Sequence, residues 1–275
     1  MIGPDVSKSL QACLSKQGLD TIEGAFAFDS GDEIYKPGLG HRERIAFTVT
    51  DEVGHKHQLY MKRYSADPLS DRLRRWWTHG LATTPGSVEF ENILAVRREG
   101  ILTAEPIICD GRSANADSDG RSYLIVAAVP GVKLEECMDD FLARNANKPD
   151  AAEAFTRTLA ELVRTLHRAG FVHRDLYSSH IFLHESDGCM NLHLIDLARA
   201  FRPRWRRTRW RVKDLAQLKY SPPMRNWAER YWPLFISEYL GRDDAAQLRR
   251  WRRRVQWKIA MMRYRRGRRA KRAGK

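Results

Sequence analysis

No Cys-x-x-Cys pair and no Cys/His metal spacing occurs among the four cysteines, Cys13, Cys109, Cys137 and Cys189, which stand far apart in the chain. That excludes a zinc-ribbon or dithiol redox motif and suits reduced thiols, small and apolar, in a cytosolic protein. Long hydrophobic runs are missing too. The longest, around Tyr123–Val132, falls far short of the roughly 20 residues that a spanning helix needs. Met1 to Gln17 shows no basic flank followed by an apolar core, so no secretory signal is expected and any membrane contact would be peripheral. There is no internal repeat. Residues 249–275 contain no acidic residue at all.

The chain has 275 residues, with 48 Lys+Arg against 34 Asp+Glu and a formal net charge of +14. Fourteen of the cations lie in residues 249–275, so the rest of the chain is neutral. A second cluster, Arg202 to Lys213, holds seven cations and no acid, and outside both clusters the balance is negative. A uniformly basic nucleic-acid coat is therefore excluded, and two local anion-seeking surfaces are expected. With 43% hydrophobic and 10% aromatic residues, wholesale disorder is excluded and one large domain or two lobes can bury a core.

Ile45–Val49 and Gln58–Lys62 alternate like strands around a turn at Asp51–His57. A helix is expected over Val88–Arg98, with Phe90, Ile93 and Leu94 at helical spacing and Gly100 as its stop. Ile107–Cys109 and Tyr123–Val129 read as further strands, flanking a polar loop at Asp110–Arg121, and Pro130-Gly131 marks a hinge. Phe155, Leu159, Leu162, Val163 and Leu166 form the clearest apolar stripe, with Asp150 as N-cap and Gly170 as stop. Two short strands, Ile181–Leu183 and Leu192–Ile195, follow. Helices are expected over Val212–Leu218, Trp227–Leu240 (with Pro233 as a kink or break) and Ala245 to about Tyr264. Strands first and helices later predict an α+β fold: a mostly antiparallel β N-lobe over residues 1–130, a mostly α C-lobe over 131–248, and a basic amphipathic tail over 249–275.

Between the long helix and the short strands stands His173-Arg174-Asp175, with His180 five residues after the aspartate; Asp196 then emerges from Leu194-Ile195. Helix, HRD loop, hairpin, strand and Asp is the order of the protein-kinase catalytic and metal-binding loops. Phosphoryl transfer needs one carboxylate to accept the acceptor's proton and another to hold Mg²⁺ on the ATP phosphates, which casts Asp175 as base and Asp196 as metal ligand. His180 either binds the metal or hydrogen-bonds the Asp175 loop. Lys62 lies on its strand where a kinase places the lysine of the α- and β-phosphates, with Glu89 on the next helix as its ion-pair partner. Gly38-Leu39-Gly40 gives only a truncated Gly-rich loop for the phosphates. His173 and Arg174 are read as positioning the loop, and Asp214 as bracing its backbone.

His173-Arg174-Asp175-Leu176-Tyr177-Ser178-Ser179-His180-Ile181-Phe182-Leu183, followed by Leu194-Ile195-Asp196-Leu197-Ala198-Arg199-Ala200, resembles the lipopolysaccharide core kinase family of the Kdo/WaaP type. Arg204-Trp205-Arg206-Arg207 through Val212-Lys213-Asp214-Leu215, and Glu89-Phe90-Glu91-Asn92, extend the likeness. Like that family, the chain has His180 where ordinary protein kinases have Asn, and Leu197-Ala198 where they have Phe-Gly. The resemblance implies a protein-kinase-like two-lobe fold that uses ATP and Mg²⁺ to phosphorylate a heptose or Kdo hydroxyl of a lipopolysaccharide core glycolipid. With the widely spaced cysteines and the basic tail, a cytoplasmic protein peripheral to the inner membrane is expected.

The Arg202–Lys213 cluster follows Asp196 where kinases meet their acceptor. Arg206, Arg207 and Arg209 are expected to grip the carboxylates and phosphates of core sugars through planar guanidinium forks. In the tail, Trp251, Val255, Trp257, Ile259, Met261 and Met262 interleave with cations, a pattern that suits an anionic membrane surface better than nucleic acid. Trp76-Trp77 beside Arg72, Arg74 and Arg75 would add an interfacial contact or pack into the core. A protein kinase, and a non-catalytic kinase-like adaptor binding anionic lipid or RNA, remain the alternatives.

Overall fold

The computed structural model describes residues 4–34, 42–66, 75, 83–111, 120–186, 188–241 and 244–273. The chain divides into two compact units. One comprises Met1–Arg98, Thr103–Val129 and, from much later in the sequence, Asp196–Phe201; the other comprises Glu99–Leu102, Pro130–Ile195 and Arg202–Lys275.

In the first unit two helices, α1 (Pro4–Lys16) and α2 (Ile22–Ala27), precede a five-stranded antiparallel sheet. Its strands are β1 (Asp32–Glu33), β2 (Arg42–Thr50), β3 (Lys56–Tyr64), β4 (Pro106–Gly111) and β5 (Ser122–Ala127), in the order β1-β2-β3-β5-β4. The two opening helices lie ahead of Ile45–Val49, the first element expected from the sequence. Leu10 and Leu14 on α1, with Leu19, Ile22 and Ala25, cover one sheet face made of Ile45, Phe47, Leu59, Met61 and Ile125. Because side chains alternate along a strand, the opposite face carries Arg42, Arg44, Lys62 and Tyr64, with Arg44 paired in register to Lys62. At the β2–β3 turn the Asp51 carboxylate accepts the backbone N–H groups of Val53 (3.0 Å) and His55 (2.8 Å) and sits 2.8 Å from His57 Nε2. The His57 hydrogen bond comes first among the causes that hold the Asp51 carboxyl down at about 2, with the two backbone bonds adding to it.

Helix α3 (Pro85–Arg98) begins three residues earlier than expected. Thr84 and Ser87 cap each other reciprocally: Thr84 Oγ1 accepts from the Ser87 N–H (3.2 Å) and Ser87 Oγ from the Thr84 N–H (2.9 Å). This satisfies two orphan donors of the first turn, and Pro85 at the start has no N–H to satisfy. The buried face of α3 is Val88, Glu89, Asn92, Ile93 and Val96, two of them polar.

The second unit holds a small sheet, β6 (Val132–Lys133), β7 (Ile181–Ser186) and β8 (Cys189–Leu194), and five helices among the described residues: α4 (Leu134–Arg144), α5 (Pro149–Arg168), α6 (Arg207–Tyr220), α7 (Arg225–Leu240) and α8 (Ala245–Ala273). The stripe on α5 is buried from Phe155 to Leu166, each such side chain contributing about 1.5–3 kcal/mol of transfer free energy. Its N-cap is Lys148, with Pro149 inside the first turn, and not Asp150 as expected. The fixed proline φ seats Pro149 as the first helical residue, which moves the boundary two residues earlier. Trp227 on α7 packs edge-on to Phe155 (6.3 Å between centroids) and donates its Nε1–H to Thr156 Oγ1 at 2.9 Å. Pro233 lies inside α7 without ending it.

Candidate active site

In the sheet unit, the Lys62 ammonium is hydrogen-bonded to Glu89 Oε1 and lies 3.5 Å from Asp196 Oδ1. The other Glu89 oxygen accepts the Tyr64 hydroxyl at 2.6 Å. Burial, with the Glu89 charge behind it, pushes the Tyr64 phenol well above its ordinary range, so it stays a donor. Glu89 is 1% exposed, whereas Glu91 faces solvent, and this settles which of the two glutamates Lys62 meets. Arg44, the cross-strand neighbour of Lys62, donates Nη2–H to Asp196 Oδ2 at 2.9 Å. Asn92 Nδ2 donates to the carbonyls of Leu197 (2.9 Å) and Ala200 (2.8 Å), fastening the segment after Asp196 to α3. Asp196 itself is left-handed, with φ 62° and ψ 60°, a conformation that costs a non-glycine residue on the order of 1 kcal/mol or more and recurs where a site over-determines its backbone.

Tyr64, Arg44 and Asn92 are absent from the motif-based list. Tyr64 stands two residues after Lys62 and so on the same strand face; Asn92 stands three residues after Glu89 and so on the same helix face. Arg44 had no such signal, since its pairing depends on the hairpin register. Gly38 and Gly40 lie outside the described residues, as do Arg72, Arg74, Trp76 and Trp77.

In the helical unit, the HRD loop is held from beneath by Asp214, which is fully buried on α6. Its carboxylate accepts the backbone N–H of His173 (2.7 Å) and of Arg174 (2.8 Å) and lies 3.3 Å from His167 Nε2. His167 Nδ1 is 2.8 Å from the Tyr239 hydroxyl. Burial lowers the His167 pKa against the opposing pull of Asp214. A neutral ring fits these partners, with Nε2–H donating to the carboxylate and Nδ1 accepting from Tyr239. Arg174, with φ 70°, is the second left-handed residue of the motif region. Its guanidinium lies over Trp210, 5.6 Å from the ring centroid, and its carbonyl accepts from Lys213.

The Asp175 carboxylate is half-buried, with Gln217 Nε2 3.5 Å from Oδ1. His180 Nδ1 lies 2.8 Å from the Asp175 carbonyl. A carbonyl only accepts, so Nδ1 carries the hydrogen and Nε2 is the ring's remaining nitrogen. This is how a metal-ligating histidine is usually oriented, and equally how a loop-bracing one is. His173 Nε2 reaches the Ile195 carbonyl at 3.0 Å, one residue before Asp196. Among the described residues no group of three or more His, Cys, Asp and Glu forms a metal cage. A hard divalent ion would be held here through carboxylate oxygen, the ligand that Mg²⁺ prefers. The Asp196 carboxylate, already drawing two cationic side chains, has the chemistry for that.

The Arg202–Lys213 cluster splits in two. Arg211 donates to the His167 carbonyl and Lys213 to that of Arg174, so both brace the HRD loop. Arg206, Arg207 and Arg209 are exposed, and among the described residues no carboxylate pairs with them. Arg206 is the left-handed N-cap of α6, Arg207 Nε donates to the Pro203 carbonyl at 3.3 Å, and Arg209 lies 5.9 Å from the Trp210 ring. The tail is the helix α8, and part of its apolar stripe is spent inside the protein. Val255 and Ile259 are buried and Trp251 packs on Tyr239 (5.8 Å), while Trp257 is 65% exposed.

The model of the lipopolysaccharide kinase (Kdo/WaaP) family matches residues 39–239, most of the chain. The protein belongs to this family. Among curated members it is 31% identical over 137 residues to the lipopolysaccharide core heptose(I) kinase WaaP of Pseudomonas aeruginosa, covering 48% of this chain and 51% of that protein. To the WaaP of Escherichia coli it is 36% identical over 169 residues, covering 59% of this chain and 62% of that protein. The chain thus spans about half to three-fifths of the length of the curated relatives it matches. A solved structure of WaaP in complex with acyl carrier protein matches with a TM-score of 0.66 and 23% identity, covering 89% of this chain and 95% of that one. The fold is therefore the expected α+β arrangement of the family, an antiparallel sheet region followed by a helical one.

Proposed function

We propose that this Kdo/WaaP family member is an ATP-dependent kinase that phosphorylates a heptose or Kdo hydroxyl of the lipopolysaccharide inner core. The observation that carries the reading is the Lys62–Glu89 pair lying 3.5 Å from Asp196, a cation and a carboxylate held together where a triphosphate and its metal need both. Mg²⁺·ATP, when bound, supplies the phosphoryl group and neutralises its charge. Lys62, oriented by Glu89 and Tyr64, contacts the α- and β-phosphates, and backbone N–H groups around Gly38 and Gly40 approach the phosphates. Asp196 holds the metal, with His180 as a second ligand or as a brace of the base loop. Asp175 accepts the acceptor hydroxyl's proton as its oxygen bonds to the γ-phosphorus and the bridge to ADP breaks.

Arg206, Arg207 and Arg209, exposed and unmatched by acid, grip the anionic sugars. No described helix is long and apolar enough to cross a membrane. The outward cations of α8 with Trp257 suit the anionic surface on which a glycolipid acceptor is carried, at the cytoplasmic face of the inner membrane. Purified protein incubated with ATP·Mg²⁺ and a panel of truncated core glycolipids, read by mass spectrometry, tests the reading. The expected result is one added phosphate on the glycolipid, absent with Asp175→Ala. Phosphate on protein instead would indicate a protein kinase, and failure to bind nucleotide with Mg²⁺ would indicate an adaptor.

A further inference from the structure

A cavity of about 310 Å³ opens between the end of α6, the start of α7 and the middle of α8. Its charged lining is lopsided: Lys219, Arg225, Arg252 and Arg263 against the single carboxylate of Glu229. Among the described residues none of the four cations makes an ion pair or a side-chain hydrogen bond. The Lys219 ammonium instead sits over the Trp232 ring, 4.8 Å from its centroid, and Arg263 lies 5.9 Å from the Tyr220 ring. A second cavity, of about 460 Å³ and lined by Arg157, Glu161 and Glu238, shows the contrast, since there Arg157 is paired with Glu238. Four cations gathered around one concave space repel one another, and a folded chain keeps such a cluster at a cost unless an anion occupies it.

We propose that this cavity is an anion-binding site for a phosphate monoester or pyrophosphate group. A lone carboxylate would leave most of the cationic charge unmatched, whereas a phosphate offers two negative charges and several acceptor oxygens to three guanidinium forks and an ammonium. The volume lies at the small end of ligand pockets. Trp232, Pro233 and Ile259 add apolar lining beside the cations. Burial, followed by the Arg252 charge, lowers the Lys219 pKa, a strain that a bound anion would relieve. The site lies wholly within the helical unit.

Isothermal titration of the full chain with inorganic pyrophosphate, and flotation with phosphatidylcholine vesicles doped with phosphatidic acid, test it against two variants of equal charge. Lys219→Gln/Arg252→Gln removes two of the four cavity cations; Arg249→Gln/Arg253→Gln removes two cations from α8 outside it. The first is expected to weaken pyrophosphate binding about tenfold or more while the second leaves it nearly unchanged, and to reduce flotation clearly more than the second, whose two cations belong to the outward set of α8. Selective loss of pyrophosphate binding assigns the site to a free phosphate compound. Selective loss of flotation alone assigns it to a lipid headgroup. If the first variant does not fold by circular dichroism, Arg225→Gln/Arg263→Gln, at two exposed positions, takes its place. Absence of binding to either probe, or equal loss in both variants, overturns the proposal.

Discussion

Charge is handled in opposite ways in the two units. In the sheet unit the functional charges are matched: Lys62 with Glu89 and Asp196, and Arg44 with Asp196, with the Tyr64 hydroxyl on the second Glu89 oxygen. On the helical unit, Arg206, Arg207, Arg209 and the four cavity cations form no ion pair among the described residues. A matched, half-buried network is self-supporting, and removing one member strands the others. Unmatched surface cations contribute little to the fold; their partner must come from outside. The difference separates machinery that is preorganised from surfaces that await a ligand.

The largest effect should come from stranding a member of the matched network. Glu89→Ala leaves the Lys62 ammonium and the Tyr64 hydroxyl facing an empty, buried space. A loss of about 3–5 kcal/mol in urea unfolding is expected, together with loss of nucleotide binding in a titration with Mg²⁺·ATP. Glu89→Gln, which keeps shape and one acceptor, should restore most of the stability but not the nucleotide affinity. Next comes Asn92→Ala, which orphans the Leu197 and Ala200 carbonyls. About 2 kcal/mol is expected from the buried acceptors left unpaired, with weaker Mn²⁺ binding by electron paramagnetic resonance as the Asp196 segment loosens. A normal metal titration for Asn92→Ala would break the link between α3 and Asp196.

How far these networks were legible follows from what the sequence encodes locally. Apolar periodicity found α5, and the HRD motif with its strand and aspartate found the loop, because both signals are contained in short windows. Asn92 on the buried face of α3 went unassigned because a pattern that counts only apolar positions passes over a buried polar residue, whereas Glu89 was found through the kinase order and not through periodicity. Helix α4 carried a signal in Leu134, Met138 and Phe141 that the neighbouring Pro-Gly turn obscured. Arg44 and Gln217 could not be found by spacing, since one depends on strand register and the other on how a later helix lies under the loop. The Arg202–Lys213 run looked uniform, yet Arg211 and Lys213 serve the fold while Arg206, Arg207 and Arg209 do not.

A smaller effect tests the buried histidines, whose protonation burial opposes. Burial, with nearby His184 adding to it, holds the His193 imidazole down at about 4, and burial also lowers His167. The unfolded chain takes up protons near pH 6.5. Stability is therefore complete above 6.5 and falls as the pH drops toward 4, because the unfolded state binds protons that the folded state refuses. His193 alone should remove about 2 kcal/mol between pH 7 and 5. Urea midpoints at the two pH values measure this, and His193→Asn should shrink the difference. An unchanged difference in that variant would assign the acid sensitivity to His167 instead.

The smallest effect on folding, and the sharpest test of the comparison, is the triple change Arg206→Gln/Arg207→Gln/Arg209→Gln. Exposed cations without acids should cost no more than about 0.5 kcal/mol to remove, and relief of their mutual repulsion could make the variant slightly more stable. Arg211→Gln, by contrast, should destabilise measurably, since it takes a donor from the His167 carbonyl beneath the base loop. If the triple change is neutral in urea but raises the KM for a core glycolipid several-fold with kcat unchanged, and the gap narrows with added salt, the exposed arginines act on the acceptor by screened electrostatics. If it unfolds the protein as readily as Arg211→Gln, the run is one structural element and the separation between matched machinery and waiting surface fails at this segment.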